Sequence, residues 1–359
     1  MDLTETPASP AEVAACVGTA AAEGRRLLVV GGGTALDRGN PGPVDWRLST
    51  AALTQVVAYE PADMIVVVEA GMTLAALGDL LRPNQQEWPV DGPPDATVGG
   101  IIAVGAVVAR QLGVGPVRDA VLEVDCVSGD GRALHTGGRT VKNVSGYGLP
   151  RLLVGSLGTL AVIVQAALRL RPLAPARRSI VAPGGLAVAR DWFQGVPLPS
   201  GILVYGDTVE LRLEGWPEDV ADQTALAQAL APGATARDDL PFPAATPWAH
   251  HPIVAEAAAA PSRLGSLLEV AGPDAGGLVG VGAVWAGLDG SPALGRLRAR
   301  AEALGGVAPV VRGAGGLDGR AAGGAATATA LPAVAVQRRI KAAFDPKGIL
   351  APGRFWGGL

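Results

Sequence analysis

The sequence predicts a two-domain α+β protein, on three observations. Its 359 residues exceed what one hydrophobic core usually organises. In the first half, apolar runs meet across short turn sequences, Glu60-Pro61-Ala62-Asp63 and Gly129-Asp130-Gly131, which predicts antiparallel pairs and disfavours a regular doubly wound sheet. From about Pro175 the texture changes, and residues 201–205 and 208–214 alternate across Gly206-Asp207, the signal of a new hairpin.

Taken in chain order, Ser9-Pro10-Ala11-Glu12 is a capping box with proline at the first helical position, and Gly24 offers a left-handed stop, so a helix spans about 10–23. Leu27 to Val30 is a short apolar run that ends abruptly at Gly31-Gly32-Gly33-Thr34, a buried strand entering a tight turn. Residues 56–59 and 64–69 form a hairpin-like pair, and Thr73 caps a helix to about Leu81. Asp95 to Gly100 opens a small-residue helix or loop, and residues 121–127 and 132–136 form a strand, turn and strand. Gly155 to Thr159 is a glycine-serine turn directly before an alternating apolar strand. In the second half, helical patterns lie at about 217–231 and 292–304, with apolar runs at 278–285 and 307–311. Residues 313–329 read as a glycine- and alanine-rich loop, and a last helix at about 331–343 precedes FDPKGILAPGRFW.

Composition excludes several classes. With 49% hydrophobic residues, 17% charged and a net charge of −4, the chain is neither disordered in composition nor basic enough for nucleic acid. The longest nearly uncharged apolar window, Val98 to Ala109, falls well short of a membrane span and reads as buried core, so no direct membrane insertion is expected. The N-terminus lacks the features of a signal peptide, and Cys16 and Cys126 stand at no metal spacing. These point to a reduced cytoplasmic setting.

Two loops carry the chemistry. Glycines at Gly155 and Gly158 leave amide N–H groups unshielded, Ser156 and Thr159 add hydroxyls, and such a turn makes an anion-binding concavity suited to phosphate. Gly31 to Thr34 is a second candidate. It is not a Rossmann fingerprint, because G-x-G-x-x-G fails at Leu36 and no acidic residue lies about 20 positions on in a βαβ unit. For this loop alone, a tight turn without a ligand is the competing reading.

The histidines are His135, His250 and His251. His135 reads as an ordinary hydrogen-bonded side chain. Adjacent His250 and His251 project in different directions and lack partners at ligand spacing, so no metal site is assigned. Arg171, Arg177 and Arg178 would suit a carboxylate fork or an acidic partner, and a solvated domain edge explains them equally well. The run RRIK at 338–341 reads as a basic helix face. No catalytic residue is assigned.

Gly31 to Thr34, Thr97-Val98-Gly99-Gly100 and Gly155-Ser156-Leu157-Gly158-Thr159 occur in an order and spacing that resemble the flavin-binding family of vanillyl-alcohol oxidase and p-cresol methylhydroxylase, particularly its 2-hydroxy-acid oxidase branch. The stretch KNVSGYGLPRLLVGSLGTL and the closing FDPKGILAPGRFWGGL resemble the FAD-binding subunits of glycolate oxidases within it. The resemblance implies a two-part flavin-binding domain over residues 1–173, a smaller α+β cap over 174–330, and a C-terminal segment, 331–359, packing back on the flavin domain. It implies that Gly31, Gly32, Gly33 and Thr34 hold the FAD pyrophosphate, that Thr97, Gly99 and Gly100 line the flavin, and that Gly155, Ser156, Gly158 and Thr159, with Val162 and Ile163, hold the remainder. Four or five charge-assisted hydrogen bonds, at about 1.5–3 kcal/mol each, would support micromolar or tighter binding after ordering costs. Covalent attachment in the family typically uses a histidine or cysteine near the phosphate loops. No histidine lies near Gly31 to Gly33 here, so FAD is expected to be non-covalent.

Three departures stand out. Gly148 replaces the aspartate usual after the tyrosine, Ala351 replaces the asparagine usual before Pro352, and Gly105 to Arg110 lacks the usual asparagine and serine-glycine-proline run. The family's histidine-glycine-aspartate-glycine metal motif is also missing from this sequence, as is a cysteine set for an iron–sulfur cluster. The resemblance therefore implies an FAD-binding subunit of a glycolate (2-hydroxy-acid) oxidase or dehydrogenase complex, working with a catalytic flavoprotein subunit and an iron–sulfur subunit. Hydride transfer from glycolate to flavin would yield glyoxylate, and peripheral attachment to the inner membrane would come through those partners. The alternatives are a non-catalytic assembly or electron-relay subunit and a stand-alone FAD-dependent oxidase of sugars or alditols.

Overall fold

The computed structural model describes residues 3–139, 148–238, 241–312 and 333–358. Readings that fall on 313–329, and on the segment KNVSGY that carries part of the resemblance, lie outside the described residues. The first strand, β1 (Leu3–Glu5), precedes α1 (Pro10–Glu23), which starts as its sequence dictates. The Ser9 hydroxyl accepts from the Glu12 N–H, the Glu12 carboxylate accepts from the Ala8 N–H, and Gly24 closes the helix at φ 66°. Then β2 (Leu27–Val30) and β3 (Trp46–Ser49) join β1 in a parallel sheet of order β1-β3-β2. Val13, Val17 and Ala20 of α1 pack into a core with Leu27, Leu48, Val162 and Val164.

A five-stranded antiparallel sheet follows, built from β4 (Val56–Glu60), β5 (Ile65–Glu69), β7 (Val121–Ser128), β8 (Ala133–Gly137) and β9 (Ala161–Arg169), in the order β4-β5-β9-β7-β8. The helices interleaved with it are α2 (Leu74–Leu81), α3 (Val98–Val104), α4 (Gln111–Val114) and α5 (Leu149–Leu153), and short β6 (Gln86–Glu87) pairs with β10 (Arg171–Pro172). Central β9 is buried on both faces. Val162 and Val164 face the α1 core, whereas Ala161, Ile163, Ala166 and Leu168 face the core under α2 and α3. The change of parity between Ile163 and Ala166 follows from a register shift opposite Asp125 and Cys126, where one extra residue reverses the alternation.

The second half is an eight-stranded antiparallel sheet. Its elements in chain order are β11 (Ala176–Pro183), α6 (Gly185–Gly195), β12 (Gly201–Tyr205), β13 (Thr208–Gly215), α7 (Pro217–Leu230), β14 (Thr235–Arg237), β15 (Ile253–Ala258), α8 (Leu264–Ala271), β16 (Ala275–Leu278), β17 (Ala283–Leu288), α9 (Ser291–Ala303) and β18 (Val310–Arg312). Ile202, Val204 and Leu211 pack with Trp192, Leu267 and Leu297 of the helices. On the opposite face, Leu203, Leu278 and the stacked rings of Trp248 and Trp285 pack with Val107 from the first half. The apolar run 278–285 is not one strand, because Gly280 and Gly282 adopt positive φ and turn β16 into β17. The last helix, α10 (Val334–Phe344), leads into a segment that returns to β2, where the Leu27 N–H donates to Ile349 O and the Ala351 N–H to Leu27 O, both at 2.7 Å.

A buried ion network ties the halves together. Glu214 of β13, its side chain 2% exposed, accepts from Arg110 at 3.1 Å and from Arg171 at 2.8 Å. Glu87 accepts from Arg171 and Arg177, and Arg110 also reaches Asp91. Arg171 and Arg177 are thus consumed by the junction and are not a free carboxylate fork, while Arg178 pairs with exposed Asp238 at the sheet edge. Burial alone would raise the Glu214 pKa. Arg110, Arg171 and Arg177 outweigh it and hold the carboxyl below its ordinary value.

A folded pKa below the unfolded one means stability that is present at neutral pH and lost as pH falls through the folded value. E214Q should cost about 3–5 kcal/mol at neutral pH, because it strands buried guanidinium charge. Its Tm deficit relative to wild type should close on acidification below about pH 4, and a calorimetric deficit that does not change with pH would refute this account of the junction. A second expectation concerns Ala351, which lies at φ 40°. A351G removes the left-handed penalty on a Cβ and should stabilise by about 0.5–1 kcal/mol in denaturant unfolding.

Candidate cofactor-binding site

The chain leaving β2 lies flush against the chain entering α3. A Cβ on Gly31 would sit 2.1 Å from Thr97 Oγ1, and one on Gly32 would sit 1.9 Å from the Asp95 carbonyl oxygen, so only glycine allows this approach. Gly33 turns the chain at φ 73°. Among the described residues, the N–H groups of Gly32, Gly33, Thr34 and Ala35 donate to no protein acceptor. A row of such donors on a cavity wall is an anion cradle.

Thr97 caps α3, its hydroxyl accepting from the Gly100 N–H at 3.3 Å. Gly99 is pressed onto the end of β5, where a Cβ would meet Ala70 Cβ at 2.8 Å. The 155–159 loop crosses the C-terminal end of α3, with the Gly155 N–H on Ile102 O and the Leu157 N–H on Ala103 O. Gly31, Gly32, Gly33 and Thr34 therefore share one cavity of about 300 Å³ with Thr97, Gly99, Gly100, Gly158 and Ile163. Gly155, Ser156 and Thr159 turn the other way. They line a second cavity of about 290 Å³ against Lys341 and Phe355. Val162 points into the α1 core.

The cavity has further walls that motif reasoning did not name. Ala106 and Val108, in the departing Gly105 to Arg110 segment, provide apolar lining, and Arg110 beside them serves the ion network. Arg38, Asp91 and Arg354 are the titratable side chains on the wall among the described residues. Arg38 reaches across to the second sheet and pairs with Glu256 at 3.0 Å, a carboxylate that also accepts from Trp285 Nε1. Asp91 is ion-paired with Arg110 at 2.7 Å. Arg354 arrives from the closing segment, which sequence resemblance marked as returning to the flavin domain without assigning it a contact. Arg38 and Asp91 carry no local signal, because their place depends on tertiary contacts.

Half-buried Lys341 also pins that closing segment. Lys341 Nζ donates to Thr159 O, Asp345 Oδ2 and Leu350 O at 2.6–2.8 Å, and Asp345 in turn accepts from the Ile349 and Leu350 N–H groups. Burial pulls the Lys341 pKa down against the opposing pull of Asp345.

The histidines lie away from the cavity lining. His251 bridges Asp274 and Asp289, packed where Gly287 leaves room. His135 pairs with Asp125 at 2.6 Å, and Glu123 joins them in a trio whose ligand-capable atoms lie within 4.8 Å of one another. Both carboxylates are otherwise engaged, Glu123 by Arg139 and Asp125 by Gln165.

A family model described as FAD binding domain matches residues 1–137. This part of the chain is thus similar to FAD-binding domains. Over 168 residues the chain is 40% identical to a D-lactate dehydrogenase of Archaeoglobus fulgidus, covering 46% of this chain and 38% of that protein. It is 34% identical over 168 residues to glycolate oxidase subunit GlcE of Escherichia coli, covering 45% and 48%. It is also 34% identical over 167 residues to a D-2-hydroxyglutarate dehydrogenase of Xanthomonas citri, covering 46% and 35%. The matched region thus spans less than half the length of these curated relatives. A solved alkyldihydroxyacetonephosphate synthase superposes with a TM-score of 0.69 at 16% identity, covering 97% of this chain and 75% of that one. The fold is the two-part flavoprotein fold of the vanillyl-alcohol oxidase and p-cresol methylhydroxylase type. Among the described residues no helix is long and apolar enough to cross a membrane.

The residues fit FAD on structural grounds: a glycine-walled cavity, a row of unengaged N–H donors and a buried guanidinium beside them. G32A drives a Cβ into the Asp95 carbonyl and should weaken FAD binding more than tenfold, that is by more than about 1.4 kcal/mol, in a flavin fluorescence titration. G18A, whose Cβ meets nothing within 4 Å in the α1 interior, should leave binding unchanged and stabilise by about 0.5–1 kcal/mol. Equal FAD affinity in both variants would remove Gly32 from the site.

Proposed function

We propose that the chain is the FAD-binding subunit of a 2-hydroxy-acid oxidase or dehydrogenase complex, acting on glycolate. In this reading an FAD domain of residues 1–173 carries a cap of 174–330, and 331–359 folds back to complete the cofactor site. The observation that carries the reading is the N–H cradle of Gly32 to Ala35, walled by Thr97, Gly99 and Gly100 and enclosed toward the second sheet by the Arg38–Glu256 pair. The similar proteins named for D-lactate, glycolate and D-2-hydroxyglutarate support the substrate class, since all three are 2-hydroxy acids.

Bound FAD would supply a two-electron acceptor for the alcohol carbon. The chain's own work is to hold it without covalent attachment: loop N–H groups and Arg354 toward phosphate, and Thr97, Gly99, Gly100, Gly158 and Ile163 along the rest of the cavity. Apolar Ala106, Val108 and Val117 exclude water from one wall.

One observation favours leaving substrate chemistry to a partner. Among the described residues the cavity wall carries no histidine, tyrosine, lysine or glutamate, and its acid, Asp91, is already paired with Arg110. A catalytic flavoprotein subunit and an iron–sulfur subunit would then complete the path of protons and electrons. The rival with support from the same observation is a subunit that binds FAD for assembly or electron relay alone.

The decisive experiment is the visible spectrum of the chain purified alone, followed by anaerobic glycolate. A flavin spectrum unchanged by glycolate alone, and bleached once the partner subunits are added, is expected. Bleaching by glycolate without partners would replace the subunit reading with a self-sufficient dehydrogenase, and no change even with partners would favour the assembly role.

A further inference from the structure

We propose that Arg354 supplies the positive charge for the FAD pyrophosphate, so that the phosphate site is completed from the far end of the chain. This rests on placing the pyrophosphate at the Gly31–Leu36 loop.

That loop offers N–H donors and no cation of its own, while a pyrophosphate diester is dianionic. Two guanidinium groups reach the same wall. Arg38 is already paired with Glu256 at 3.0 Å. Arg354 is different. Its Nη2 donates to the carbonyl oxygens of Ala35 and Leu36 at 3.4 and 2.9 Å, and among the described residues no carboxylate forms an ion pair with it. Its Nε and Nη1 make no hydrogen bond among the described residues, which leaves donors of a planar fork that matches phosphate oxygens. The residue is only 7% exposed, and burial weakens its hold on its own proton against the opposing pull of the nearby Asp37 charge, a strain that a bound anion would relieve further.

The backbone of this segment is fixed before any ligand arrives. The Asn40 N–H donates to Arg354 O at 2.8 Å, and Asn40 Nδ2 donates to the carbonyls on either side, Gly353 and Phe355. Glycine at 39 and at 42 allows the approach, since a Cβ there would lie 2.6 Å from Arg354 O and 2.5 Å from Pro352 O. Such preorganisation leaves little ordering cost to be met on binding. Arg354 also grips the carbonyls of the very loop whose N–H groups face the cavity, so it both shapes the cradle and charges it.

The test compares FAD with riboflavin, which lacks the pyrophosphate, on the full-length chain and its R354Q and R354K variants, by flavin fluorescence titration. R354Q should raise the Kd for FAD about 10–100-fold and leave that for riboflavin within about twofold. R354K should fall between R354Q and wild type for FAD. The salt dependence of FAD binding should be shallower in R354Q than in wild type. Unchanged FAD affinity in R354Q overturns the proposal, and so does a parallel loss of FAD and riboflavin, which would make Arg354 a loop staple only. Should R354Q not fold, R354K carries the test, and equal losses for the two ligands again overturn it. A wild-type chain that binds riboflavin as tightly as FAD fails at the underlying placement instead.

Discussion

The cavity depends on one close approach, the packing of the Gly31-Gly32 backbone against residues 95–97. Two missing Cβ atoms bring the end of a parallel strand to the start of a helix, and this contact leaves the following N–H groups with no protein acceptor among the described residues. Gly32, Gly33 and Thr34 are exposed, so these donors are open to solvent and an anion could take its place. The rest of the first half serves this contact. Gly99 lets α3 lie on β5, the 155–159 loop is hung from the carbonyls of α3, and the closing segment is stitched to β2 by the hydrogen bonds of Leu27 and Ala351. Residues nearly the whole chain apart are thereby held to the same wall.

The second constraint is electrostatic and sits at the junction of the halves. Glu214 and Glu87 are each shared among several arginines from elements on both sides. Neither sheet could bury these charges by itself without a large desolvation cost, so docking and charge compensation happen together. Arg110 joins this network while its neighbours Ala106 and Val108 face the cavity. The Gly105 to Arg110 segment thus provides both an apolar wall and a tether between the halves.

Much of this was legible in the sequence where the cause is local. The Ser9 cap, the Gly24 stop, the Thr73 cap and the hairpins at Pro61 and Gly206 depend on side chains reaching backbone a few residues away, and these signals survive in one dimension. Helix α6 was missed because it opens on Gly184 and Gly185 with no capping side chain. The apolar run 278–285 hid a turn, since its glycines look like any others until their φ values are seen. The glycine loops could be named as phosphate candidates, yet which face of the 155–159 turn meets which cavity could not. That choice rests on Leu157 at φ 55° and on the carbonyls of α3, neither of which is written in the local pattern.

The cationic groups show the same limit most sharply. Arg171 and Arg177 were conspicuous in sequence as a basic cluster, and carboxylates 84 and 43 residues from Arg171 consume the charge. Arg354 was inconspicuous, a single arginine after a Pro-Gly turn, and it is held against the Gly31–Leu36 loop from a sequence separation of 318 residues. What distinguishes the two cases is not the density of charge along the chain but whether a carboxylate arrives to answer it. Counted that way, the glycine-walled cavity has an excess of donors on one wall and an engaged acid on another. That imbalance favours holding an anionic cofactor over abstracting a proton, and it leaves the acid–base chemistry to be supplied from outside the described wall.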